Sequence, residues 1–301
     1  MSRSTADIAH DAVWLRRDAE KIGGALPPLL ADAERLASTV VMGDHGRKRA
    51  GTGETFWQYR RAVPGDVLTQ VDWRRSARSD RLYIREMEWE AAQTVSFWAD
   101  DALAMNYRGP KAPRSKRERA ALLTLALSVL LVKAGERVSL LGTDAAQPRS
   151  GETQLRRMAM SMADLPEDRP DFGAPPPARL TPGGRAVFLS DFMGPRDAVF
   201  QGLAQAAESS VSGVFVQIVD DTEESFPFDG RVVFESMGGG ISFETQRAKA
   251  LREAYQERLA ERRAALQDMA RRTGWHCLIH RTSESPRKAL LWLYGAIGGQ
   301  V

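Results

Sequence analysis

Three apolar runs in this chain each end on aspartate. TVSFWADD reaches Asp100 and Asp101, RAVFLSD reaches Asp191, and VSGVFVQIVDD reaches Asp220 and Asp221. The segments between and after them change to a helical pattern. Ser115-Lys116-Arg117-Glu118 has the spacing of a capping box and opens a helix that is apolar nearly all round. Gly135 follows that helix as a left-handed cap. ERVSLLGT is the next strand, and Thr153 to Leu165 the next helix. Further helices are expected from Arg196 to Ser209, from Gln246 to Thr273 and from Pro286 to Ile297. A last strand lies at WHCLIHRT, and a short extra one at FDGRVVFES. Strands that alternate with helices build a mostly parallel sheet covered on both faces, through right-handed crossovers. The expected fold is therefore α/β with a doubly wound sheet. In such a sheet the functional crevice lies outside the carboxyl ends of the strands, where the aspartates fall.

Upstream the pattern differs. Residues 1 to about 44 read as short amphipathic helices broken at Pro27-Pro28, with Leu29, Leu30, Ala33, Leu36 and Val40 near helical spacing. Arg47 to Glu90 then holds closely spaced turn signals at Gly51-Thr52-Gly53, Pro64-Gly65-Asp66 and Ser79-Asp80, with arginines and aromatics between them. This reads as a small irregular β-rich segment. The expected division is a helical and β-rich appendage over residues 1–90 and an α/β domain over 91–301.

Composition excludes several classes. The longest nearly apolar run, Ala120 to Val132, is too short to cross a bilayer, which takes roughly 20 residues. Asp7, Asp11, Arg16, Arg17 and Asp18 leave no secretory apolar region near the start. The single cysteine, Cys277, leaves no internal disulfide, and a cytoplasmic location is the expectation. A net charge of +3 is no nucleic-acid footprint by itself. Neither a P-loop nor a full GxGxxG occurs, so no ATP site is expected, and Gly238-Gly239-Gly240 reads as a turn. His276 and His280 share one side of the last strand while Cys277 points the other way. With no third ligand recognisable, they read as packed strand histidines.

The wording of the β-rich segment carries a resemblance. GTGETF, YRRAVPGD and VDWRRSARSDRLYIRE resemble the signature of the bacterial domain-of-unknown-function 58 family, which typically reads GxGxEF, RxYxPGDD, IDWxxSAR and LxVRExE. Val67 departs from the second Asp of PGDD, and Thr69-Gln70 replace a typically basic position. The resemblance implies a von Willebrand factor A-like fold, whose metal-ion-dependent adhesion site takes a DxSxS loop. Here Asp100 is followed by Ala102 and Ala104, so both hydroxyls of that loop are missing, while Asp191 matches a late aspartate of the site. Three readings of this edge stand together. Asp100 and Asp191 hold Mg²⁺ weakly, or they are strand-end carboxylates bonded to loop amides and water, or an arginine of the β-rich segment pairs with them as a bidentate fork.

The resemblance also implies a partner, since relatives are commonly encoded beside MoxR-type AAA+ ATPases. The function expected is a non-enzymatic interaction module, an adaptor or co-chaperone acting on a client protein. Its contact residues would be Glu54, Arg60, Asp66, Asp72, Trp73, Arg74, Arg78 and Arg85, because arginine, tryptophan and tyrosine dominate interface hot spots. A local role for each, such as Asp72 accepting turn amides or Trp73 filling a core, is the competing reading. Seven acids within the segment weigh against nucleic acid. The alternative is a metal-dependent hydrolase or phosphotransfer enzyme using Asp100, Asp101, Asp191 and Asp220.

Overall fold

The computed structural model describes residues 27–40, 49–51, 55–63, 66–67, 69, 71–78, 81–89, 92–240 and 242–298. Glu54 and the Pro64-Gly65 and Ser79-Asp80 turns lie outside them. The compact units divide the chain differently from the expected boundary at 90. One comprises residues 1–43 and 94–301, the other residues 44–93. Helix α1 (Pro27–Ser38) therefore belongs with the α/β unit. Its Ala33 and Ala37, with Val40 just beyond, sit in that unit's main core, because the spacing noted above forms one apolar face.

The smaller unit is a three-stranded antiparallel sheet, ordered β1–β3–β2, of β1 (Arg49–Gly51), β2 (Thr55–Arg61) and β3 (Tyr83–Trp89). The β2–β3 register shifts between Phe56 and Gln58. A single helical turn, α2 (Trp73–Ser76), lies between those strands in sequence. It is tied to β3 by Asp72 N–H to the Tyr83 carbonyl at 2.8 Å and Tyr83 N–H to Ser76 Oγ at 2.9 Å.

The larger unit contains a five-stranded, wholly parallel sheet of β4 (Thr94–Ala99), β5 (Arg137–Leu140), β6 (Arg185–Ser190), β7 (Ser212–Val219) and, after the β8–β9 hairpin (Val232–Glu235 and Ser242–Thr245), β10 (His276–Arg281). The spatial order is β10–β7–β6–β4–β5. The direction of winding thus reverses between β4 and β6, the strands that carry Asp100 and Asp191. Helices α3 (Lys116–Lys133), α4 (Glu152–Ala163) and α8 (Pro286–Gly298) join α1 on one face around Phe97, Val187 and Val216. Helices α5 (Arg196–Glu208) and α7 (Ala248–Thr273) contribute to the other core, with Trp98, Phe188, Phe215 and Trp275. Alternate residues of each strand feed the two cores, as the period of two requires. Gly213 has no substitute here, since a Cβ would lie 2.3 Å from the Trp275 ring.

This arrangement explains the prolines between α4 and β6, at Pro166, Pro170, Pro175, Pro176, Pro177 and Pro182. Helix α4 shares a face with α3, whereas Ala174, Ala178 and Leu180 pack into the opposite core. The chain must cross from face to face over the carboxyl edge of the sheet. It does so at Gly173, where a Cβ would sit 2.1 Å from an Asp100 carboxylate oxygen. Prolines hold such a crossing extended and need no donor partners. The Gly238-Gly239-Gly240 turn lies between β8 and β9, and Gly238 N–H donates to Asp171 of the crossing at 2.7 Å.

Candidate functional site

The N-terminal turn of α3 is built against a physical preference. Acids favour the positive end of a helix, yet Lys116, Arg117 and Arg119 stand there. Ser115 and Glu118 complete the capping box as expected: Glu118 N–H donates to Ser115 Oγ at 3.2 Å and Ser115 N–H to Glu118 Oε2 at 2.8 Å. The three cations reach instead to the loops at the carboxyl edge. Arg119 donates to the Thr282 and Glu284 carbonyls after β10, at 2.7 and 2.8 Å. Arg117 donates to Asn106 Oδ1 at 3.0 Å. Lys116 Nζ lies 2.7 Å from Asp191 Oδ2 and 2.5 Å from Glu223 Oε1, with its side chain only 2% exposed. The Tyr107 ring faces the ammonium at 5.8 Å. Its two carboxylate partners raise the lysine's pKa against the burial that opposes it.

Each aspartate predicted for the edge arrives there, and three are fully engaged. Asp100, 2% exposed, accepts Ala102 N–H at 2.9 Å and the Ser190 hydroxyl at 2.6 Å. Burial pushes its pKa up to about 6, against those two bonds. Asp191 accepts Met193 N–H at 2.8 Å besides Lys116. Asp220 caps the short helix α6 (Asp221–Ser225) through Thr222 N–H at 3.0 Å. It also accepts the Thr222 and Thr282 hydroxyls at 2.6 and 2.8 Å and Gly109 N–H at 3.0 Å. Asp101 is exposed, and its carbonyl accepts from Arg169 at 2.6 Å. Glu223, absent from the residues expected at this edge, completes a second capping box with Asp220, a signal of the same kind as Ser115-x-x-Glu118.

These residues do not fit a divalent ion. Asp100 spends both oxygens on hydrogen bonds, Ala102 and Ala104 offer no hydroxyl, and the free side of Asp191 faces an ammonium. Among the described residues, no group of three or more His, Cys, Asp or Glu side chains could hold a metal. From sequence, an arginine of the 47–90 segment is one candidate cation for this edge. The cation placed against Asp191 is Lys116, from α3 of the same unit. A pocket of about 210 Å³ opens at Asp100 and Asp101, between the ends of β4 and β5, with Arg117, Thr143 and Ser161 among its polar lining. The strand histidines pack locally. His276 meets Trp292 edge-on, while His280, buried, has Nε2 3.2 Å from Arg119 Nη1 and a pKa pushed down to about 4 by burial and then by that arginine.

In the smaller unit the predicted contact residues separate into two groups. Arg60 grips Asp66 with both terminal nitrogens at 2.7 Å, and Val63 N–H adds a third bond to that carboxylate at 2.7 Å. The hydrogen bond from Arg60 and that amide bring Asp66 down to about 2. Asp72 caps α2 by accepting Arg75 N–H at 2.9 Å, and accepts the Tyr59 hydroxyl at 3.1 Å. The guanidinium of Arg75 lies 4.3 Å above the Tyr59 ring. Trp73, by contrast, is 59% exposed, and Arg74 and Arg78 are exposed beside it in sequence. Arg85 stands on β3 opposite Tyr59.

A sequence profile described as "Protein of unknown function DUF58" matches residues 58–265, spanning the capped α2 segment and the sheet edge. The chain belongs to this DUF58 family. Uncharacterized proteins of Mycobacterium bovis and Mycobacterium tuberculosis are 26% identical over 289 residues, covering 91% of this chain and 90% of theirs. Among solved structures, the crystal structure of the conserved hypothetical protein BatB from Bacteroides thetaiotaomicron aligns with a TM-score of 0.37 at 11% identity, over 69% of this chain and all of that one. Across the described residues of this DUF58 chain, no helix is long and apolar enough to cross a membrane.

Proposed function

We propose that this DUF58 protein is a non-enzymatic interaction module, an adaptor or co-chaperone that works in the cytoplasm with a MoxR-type AAA+ ATPase on a client protein. The observation that carries the reading is the exposure of Trp73, with Arg74 and Arg78, on a turn whose frame is fixed internally by Asp72 and by the Arg60–Asp66 pair. A large aromatic held in the open by a capped, ion-paired scaffold has the character of a binding anchor. The family resemblance supplies the ATPase as the partner to test. Hydrolysis at the acidic edge finds no such support, because Asp100, Asp191 and Asp220 are each committed to bonds within the fold. The test is gel filtration of the purified full chain with the MoxR-type ATPase of the same organism and ATP. Co-elution that is lost in the W73A/R74A/R78A variant supports the reading. No co-elution, or co-elution that the triple variant leaves intact, overturns it.

A further inference from the structure

We infer that Lys116 is a built-in counter-cation whose ammonium takes the point at which a divalent ion would otherwise be held between Asp191 and Glu223. The inference concerns the sheet edge alone and stands whether or not the docking function does.

The geometry carries it. One point, the Nζ position, has Asp191 Oδ2 at 2.7 Å and Glu223 Oε1 at 2.5 Å. These are the lengths of charge-assisted hydrogen bonds, and they bring two carboxylate oxygens to one point, the start of an oxygen ligand set for a hard cation. Both carboxylates are aimed there by their other oxygens. Asp191 Oδ1 is fixed by Met193 N–H at 2.8 Å, and Glu223 Oε2 by Asp220 N–H at 2.8 Å. The lysine enters from the first turn of α3, which the Ser115–Glu118 box pins in place. The point also lies by the reversal of strand order, where sheets of this kind gather ligands. An ammonium there gives up its water for two charged acceptors and ties β6, α3 and α6 together, with no ion taken from solution.

The consequence is that the native edge is indifferent to divalent ions, while an edge deprived of the lysine acquires a use for them. Thermal unfolding of the purified full chain, with CaCl2, with MnCl2 or with EDTA, reads this directly. The wild-type midpoint is expected to be the same in all three. In K116A the midpoint in EDTA is expected to fall by roughly 10 °C, since the buried Asp191 and the half-buried Glu223 lose their partner. Millimolar Ca²⁺ or Mn²⁺ should recover part of that fall, and K116A/E223Q should not respond. A wild-type midpoint that climbs with either ion overturns the inference. So does a K116A chain as stable as wild type in EDTA, or one destabilised but deaf to both ions. Should K116A fail to fold, K116A/D191N/E223Q decides. Removing both charges along with the lysine is expected to restore a folded chain without ion response. A triple variant that is also unfolded assigns Lys116 a packing role and overturns the inference.

Discussion

In the α/β unit, Lys116 reaches carboxylates 75 and 107 residues away in sequence and is almost closed off from solvent. In the smaller unit, Arg60 reaches Asp66 only six residues away and remains 35% exposed. Both are cations in short contact with carboxylates, yet they do different work. The long-range pair joins elements that the chain entropy would otherwise keep apart, in a place where water cannot compensate its loss. The local pair shapes one turn, and water stands ready to replace either partner. One region spends its charges on its own architecture. The other uses few charges to fix a frame and leaves an aromatic and two arginines facing outward.

The largest effect that can break this contrast is K116M. It keeps the unbranched stem and removes only the charge, leaving the buried Asp191 and the half-buried Glu223 without a counter-ion. Breaking a buried pair on one side costs about 3–5 kcal/mol, which urea unfolding monitored by circular dichroism will resolve. The matching R60M change should move the same midpoint far less. Equal losses would mean that the two pairs are not different in kind.

Much of the fold could be read in advance, and the exceptions have a common cause. The Ser115 capping box, the Gly135 stop and the alternation of strand and helix are local signals, and the helices fall within a few residues of the expected ranges. The aspartates were placed at the correct edge because strand ends and sheet polarity are also local consequences of pattern. Strand β9 was not foreseen, since SFET becomes a strand only through its antiparallel partner β8. The role of Lys116 was hidden for the same reason, as its partners are distant in sequence. A signal did exist: three cations in the first turn of a helix violate the dipole preference, and such violations mark places where tertiary structure has overruled local rules. Trp73 could not be assigned from sequence, because exposure at a turn depends on which way a single helical turn is tied down.

Gly173 sharpens the comparison from the crossing side. G173A would drive a Cβ to 2.1 Å from the Asp100 oxygen that already accepts Ala102 N–H. Overpacking of this kind costs about 1–3 kcal/mol, measurable by the same unfolding experiment. Gly151, whose Cβ position is open, provides a poor comparison because its φ of 91° brings strain of its own. A wild-type midpoint in G173A would show that the crossing does not press on the edge.

The pH response separates the edge groups further. Asp100 is raised to about 6, so between its ordinary value near 3.8 and 6 the folded state holds a proton that the unfolded chain has released. Its contribution is present at low pH and lost as pH rises through 6. His280, lowered to about 4 from 6.5, acts in the opposite direction: its contribution is present above 6.5 and lost as pH falls toward 4. The two oppose each other between pH 4 and 6. D100N reproduces the protonated carboxyl and removes one of them. Its stability should therefore fall more steeply than wild type as pH drops from 6 to 4. An unchanged slope would place the ionisation of Asp100 elsewhere.

The smallest expected effect on the fold is the most telling about function. W73A/R74A/R78A removes an exposed ring and two exposed guanidiniums while leaving Asp72, Arg75 and the Arg60–Asp66 pair in place. Surface substitutions away from caps and buried networks stay within about 0.5 kcal/mol, so the unfolding midpoint should not move. Partner binding should nevertheless be lost, because affinity concentrates in a few aromatic and arginine anchors. A variant that unfolds early would return Trp73 to the fold and remove the distinction between the two regions. A variant that is stable but no longer co-elutes with the ATPase would place the protein's charge economy in order: buried charges inward for architecture, exposed arginines and tryptophan outward for recognition.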